Sequence, residues 1–227
     1  MKSIKLIALA LTTVFAFSSC SNEETNLMNN PNEGALKTYK IKRDATGAYS
    51  LDINLSENTK VDNVLDATDN TSKYYLSSTN ESSKKSMSDD LLINDDNLKV
   101  SFIDTEINKG QSISIKDDNI SFLKKNNNST KLKSYSIESN EDGTYALDFS
   151  VKNNTDVSFV YNESIKTYEV HLENGSGSEK SFSRTLEREE GLALKLDFVN
   201  HLNNSSAKSE DLATIRKPII IIDTFND

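Results

Sequence analysis

The chain has 227 residues, of which 35% are apolar and none is Trp, enough for one or two domains with a modest core. Its 35 Asp and Glu outnumber 26 Lys and Arg, giving a net charge of −9. No basic stripe is present, so a nucleic-acid partner, whose phosphates demand clustered cations, is excluded. With one cysteine, Cys20, no internal disulfide can form and an apolar core must hold the fold.

At the N-terminus, Lys2 and Lys5 lead into Leu6 to Phe17, a run that is apolar apart from Thr12 and Thr13. As a helix, such a run spans roughly 18 Å against the ~30 Å of bilayer hydrocarbon, so it reads as a signal-peptide core, not a permanent span. Ser18, Ser19 and Cys20 follow directly. These residues resemble the signal and lipobox of bacterial lipoproteins, departing from the usual pattern at Phe17. The resemblance implies that residues 1–19 are removed and that Cys20 becomes the acylated, palmitate-bearing first residue of the mature protein. The membrane is then a partner through a lipid anchor, and two or more acyl chains hold firmly. Losing Lys2 and Lys5 takes the net charge from −9 to −11.

Ser21, Asn22, Glu23 and Glu24 form a short acidic patch. It resembles the surface-export signal of lipoproteins from the Bacteroidota, which implies residence at the outer membrane, on either its periplasmic or its surface face. Residues 20–35 are rich in Asn, contain Pro31 and carry few apolar side chains, the composition of a flexible tether.

From Leu36 onward the chain repeats itself. Leu36, Lys37, Tyr39, Ile41, Gly47, Tyr49, Leu51, Asp52, Asn58, Thr59 and Val61 recur, without a gap, 96 residues later as Leu132, Lys133, Tyr135, Ile137, Gly143, Tyr145, Leu147, Asp148, Asn154, Thr155 and Val157. The register returns where Leu98 to Ile103 matches Leu194 to Val199. Two modules are therefore expected, 36–131 and 132–227.

Both copies alternate with a period of two. Tyr49, Leu51, Ile53 and Leu55 interleave with polar residues, as do Tyr145, Leu147, Phe149 and Val151, the pattern of strands with one buried and one wet face. Thr46-Gly47 and Asp142-Gly143 suit hairpin turns. Further alternation follows at Val157, Phe159 and Tyr161, at Tyr168, Val170 and Leu172, and at Leu192 to Phe198. Ser209 to Arg216 suggests a short helical turn. Pro218 suits the first position of a strand whose continuous run, Ile219 to Ile222, predicts burial on both faces near the junction of the copies. Its expected counterpart is Phe122-Leu123. The fold class expected is all-β, two tandem related antiparallel modules of sandwich or meander type, with five or six strands and a separate core in each.

Chemistry-bearing patterns are sparse. His171 and His201 share parity with polar neighbours and are expected to face solvent. A Zn site joining them to Glu169 or Asp197 would require neighbouring strands and lacks ligand-like local spacing, so surface histidines are the preferred reading. The acid pairs Asp89-Asp90, Asp95-Asp96, Asp117-Asp118 and Glu141-Asp142 contain no calcium-loop motif, although Asn94 to Asn97 comes nearest. Neither a nucleophile elbow nor a phosphate loop occurs. Tyr39, Tyr49, Tyr135 and Tyr145 recur in both copies, Tyr49 and Tyr145 on the inward face with hydroxyls able to reach a rim partner. No catalytic residue, metal ligand or cofactor is assigned. The expectation is a non-enzymatic, envelope-anchored binding or structural lipoprotein with a protein or glycan ligand. The alternative is a hydrolase of envelope or extracellular polymers that uses paired carboxylates.

Overall fold

The computed structural model describes residues 34–80, 85–117, 130–202 and 213–226. Cys20, the tether to Glu33, Asp118 and Phe122-Leu123 lie outside them. The described chain is all β. Its strands are β1 (Leu36–Arg43), β2 (Tyr49–Leu55), β3 (Thr59–Asp66), β4 (Thr71–Ser78), β5 (Ser86–Leu91), β6 (Asn97–Asp104) and β7 (Lys109–Lys116) in the first repeat. In the second they are β8 (Leu132–Ser139), β9 (Tyr145–Val151), β10 (Thr155–Asn162), β11 (Thr167–Asn174), β12 (Ser181–Leu186), β13 (Leu194–Leu202) and β14 (Ala213–Asn226). Among the described residues each repeat thus has seven strands, where five or six were expected.

The duplication extends to register. Thr59↔Ser78 in the β3–β4 hairpin becomes Thr155↔Asn174 in β10–β11, and Tyr74↔Phe102 in the parallel β4–β6 pair becomes Val170↔Phe198 in β11–β13. Even the irregularity after Leu36 in β1–β2 recurs after Leu132 in β8–β9. Turn conformations repeat as well: Gly47 and Gly143 have φ of 91° and 82°, and Asn58 and Asn154 both have 59°. In the β1–β2 and β8–β9 hairpins the glycine supplies the left-handed residue that closes a short loop, at no cost in side-chain crowding.

The repeats do not form separate sandwiches. One six-stranded sheet runs β12-β9-β8-β1-β2-β5 and an eight-stranded sheet runs β10-β11-β13-β14-β7-β6-β4-β3, so each crosses the boundary between copies. The seams are antiparallel: β1 meets β8 with Ile41 opposite Ile137, and β7 meets β14 with Ser114 opposite Ile221. A pseudo-twofold axis passes through both seams. Under it Ile113 and Ile115 correspond to Ile220 and Ile222, because these residues oppose Val100 and Leu98 in one copy and Leu196 and Leu194 in the other.

Inward side chains from both sheets form one continuous core, including Ile41, Leu51, Ile53, Phe102, Ile137, Leu147, Phe198, Ile220 and Ile222. The expectation of one core per copy is thereby corrected. Aromatic contacts between the sheets repeat too, Tyr39 on Phe102 at 5.0 Å and Tyr135 on Phe198 at 5.4 Å between ring centroids.

Three local expectations also change. Ala213 to Arg216 is strand, not helical turn, because it pairs with Asn200 to Leu202 and Val199 of β13. Pro218 lies inside β14, at the register shift opposite Asp197 and Val199, where a missing N–H is tolerated. Ile220 and Ile222 are fully buried while Ile221 is 37% exposed, so β14 has one wet face. Its repeat partner is β7, not Phe122-Leu123.

Leu51 and Leu147 occupy equivalent, fully buried positions. Truncating either to Ala is expected to cost on the order of 2 to 5 kcal/mol, against about 0.5 or less for the outward Asp148→Ala. Because the core is continuous, urea denaturation of each variant should show a single shifted transition. Two resolved transitions would contradict a shared core.

Candidate functional site

Strand alternation places Arg43 at an inward position, continuing Tyr39 and Ile41. A buried cation requires a partner. Asp117, immediately after β7, supplies it: Arg43 Nε donates to Asp117 Oδ2 at 2.5 Å, and the Tyr49 hydroxyl donates to the same oxygen at 2.8 Å. The Tyr49 and Tyr135 hydroxyls lie 3.1 Å apart, which joins both repeats in one polar network. Burial opposes the Arg43 charge, yet Asp117 together with Tyr49 and Tyr135 outweighs it and holds the guanidinium more firmly protonated. Burial drives the Tyr49 and Tyr135 phenols far above their ordinary range, and for Tyr49 the neighbouring Tyr135 and Asp117 add to it.

The pseudo-equivalent end keeps the tyrosines and loses the ions. Ser139 stands where Arg43 would be, and its hydroxyl accepts from the Tyr39 amide at 2.9 Å. Gln111 donates to the Tyr145 hydroxyl at 2.7 Å. Tyr39 Oη is buried with no hydrogen bond of ordinary geometry. Burial, reinforced by Tyr145, pushes its ionisation well up.

The outer face of the six-stranded sheet carries small hydroxyls in rows. One row across the sheet reads Ser183, Asp148, Ser136, Lys42, Ser50 and Asp90. An open depression of about 570 Å³ lies here, lined by Ser134, Ser136, Ser150, Ser181 and Ser183 around Lys42 and Asp148, with Tyr135, Phe149 and Phe182 also in its wall. It is an open surface that combines hydroxyls with aromatic rings.

The opposite sheet holds a linked set of ionisable side chains. Parallel pairing of β11 with β13 sets Glu169 beside Asp197 and His171 beside Val199. His171 Nδ1 lies 2.9 Å from His201 Nε2, and His171 Nε2 lies 3.1 Å from Glu169 Oε2. Arg216 on β14 clamps both acids, Nη2 to Glu169 Oε1 and Nη1 to Asp197 Oδ2, each at 3.1 Å. Burial raises the Asp197 carboxyl above its usual range, against the opposing pull of Arg216. The two histidines, expected as separate surface residues, are neighbours bonded to each other and only about one-fifth exposed.

The acid pairs are structural where they are described. Asp95 and Asp96 both have positive φ, 45° and 63°, and form the tight turn between Asn94 and Asn97. Asp89 accepts from Tyr74 Oη and Asn63 Nδ2, both at 2.8 Å. Asp142 Oδ1 accepts from the Thr144 hydroxyl and amide, and these bonds hold its carboxyl below the usual range. Tyr49 and Tyr145 are core residues with tethered hydroxyls, as their parity predicts. Sequence reasoning missed Arg43 and Arg216, and met Asp117 only as half of an acid pair, not as the partner of a buried cation. For Arg43 a signal existed, a charge on the apolar parity of its strand; for Arg216 none did.

No family model matches the chain, and comparison with curated proteins and with solved structures finds no match.

Removing one partner of a buried ion pair strands the other, so Asp117→Asn is expected to cost about 3 to 5 kcal/mol. Replacing both ions, as Arg43→Met with Asp117→Leu, should recover much of that loss in the same denaturation experiment. The raised phenols fix a pH dependence. The fold keeps Tyr39, Tyr49 and Tyr135 protonated while the unfolded chain releases their protons near pH 10, so stability is intact below about pH 10 and falls as pH rises further. Tyrosinate absorbance from these residues should appear only together with alkaline unfolding.

Proposed function

We propose that this chain is an envelope lipoprotein, acylated on Cys20 and held at the outer membrane, whose two-sheet body is a non-enzymatic binding or structural module. The observation that carries the anchor is the order of Lys2, Lys5, the apolar run to Phe17 and Ser18-Ser19-Cys20. Support for the body's role is the open depression at the six-stranded sheet, where serine hydroxyls lie beside Tyr135, Phe149 and Phe182, a surface suited to a protein or glycan partner and not to enclosing a small substrate. The hydrolase alternative needs two carboxylates converging across a cleft. Glu169 and Asp197, neighbours across β11 and β13, are clamped by one guanidinium on a sheet face.

Replacing Cys20 with Ser should abolish incorporation of labelled palmitate and move the protein from the membrane to the soluble fraction. Retention of Cys20→Ser in salt-washed membranes would refute the anchor. Release of new reducing ends from isolated envelope polysaccharide by the unaltered protein would refute the non-enzymatic reading.

A further inference from the structure

We propose that His171 and His201, with Glu173, bind a divalent late first-row transition-metal ion on the outer face of the eight-stranded sheet. The chain's only two histidines come from adjacent parallel strands, and their facing nitrogens lie 2.9 Å apart. Donors at about 2.0–2.1 Å from a metal are about 2.9 Å apart at neighbouring corners of a square or octahedron and about 3.3 Å in a tetrahedron. The pair is therefore already spaced as two neighbouring ligands.

Tautomer control makes one of these nitrogens a donor to a metal. A carboxylate only accepts, so at 3.1 Å from Glu169 Oε2 the His171 Nε2 carries the hydrogen and Nδ1 presents its lone pair. Glu169 is itself fixed, 5% exposed and bonded to Arg216 and Asn162. This is the carboxylate–histidine arrangement that orients metal-bound imidazoles. Without a metal, His201 Nε2–H fills the gap by donating to His171 Nδ1. A metal bonded to both nitrogens lies to one side of the line between them, so both rings turn toward it, and His201 carries its one hydrogen on Nδ1 instead.

Among the described residues no three such side chains already converge on one point. The third ligand is the exposed one. Glu173 Oε1 lies 3.7 Å from His201 Nε2 on a 59% exposed side chain, so a small rotation brings it to the ion and water fills the other positions. Lys131, whose Nζ donates to the His201 carbonyl oxygen at 2.5 Å, is a cation on this side and sets a limit on affinity. The first repeat has Tyr75, Thr105 and Ser77 at the corresponding positions, so the site belongs to the second copy alone.

The test is calorimetric titration of the untagged full chain with NiCl2, in a Cys20→Ser background so that the thiol adds no ligand. One Ni2+ per chain should bind, with affinity reduced at least tenfold by His171→Asn or His201→Asn and several-fold by Glu173→Gln. Thermal unfolding should shift upward with Ni2+ in the parent and not in the double histidine variant. Circular dichroism in EDTA establishes that the variants keep their β structure. Electron paramagnetic resonance of Cu2+ on the parent chain gives a readout independent of any substitution at the site, and coupling to two imidazole nitrogens is expected. Absence of saturable Ni2+ binding, affinity within twofold of the parent in a folded double variant, or Cu2+ without imidazole coupling would each overturn the proposal.

Discussion

The described structure depends on pairing between the repeats. Within one copy, β1 and β7 would be open edges of two narrow sheets, exposing unpaired backbone groups above a half-covered core. Antiparallel addition of β8 to β1 and of β14 to β7 closes both edges at once. Because the same pseudo-twofold relates both seams, Ile41, Ile137, Ile113, Ile115, Ile220 and Ile222 meet in the middle of the molecule, and the core has no boundary there. With no internal disulfide available, this shared burial is the main source of cohesion.

Symmetry of the backbone has been combined with asymmetry of charge. The tyrosine pairs recur at both ends of the core, yet only one end holds the Arg43–Asp117 ion pair; the other has Ser139 and Thr224 at those places. A buried ion pair adds little net stability over apolar side chains but penalises any arrangement that separates it. Its placement across β1, β2, β8 and the end of β7 gives the two copies distinct ends.

The same divergence shapes the outer surface. Lys73 in the first repeat pairs with Asp66; at the corresponding places in the second, Glu169 contacts Asn162. That reversal of charge lets β11 accept Arg216 and orient His171, so one copy of the scaffold acquires polar chemistry that the other lacks. Such specialisation leaves the apolar core untouched, because Glu169 and His171 lie on the outward parity of β11.

Much was legible in the sequence. Period-two alternation identified β2 and β9 and their buried faces, and eleven identities at one offset established the duplication, because local backbone preference and side-chain parity are properties of short segments. Strand partners are not. Nothing in the string tells β1 to pair with β8, places Asp117 beside Arg43, or brings His171 to His201 across thirty residues. Those contacts follow from which edges remain open after each repeat folds upon itself, and only closure of the whole core decides them.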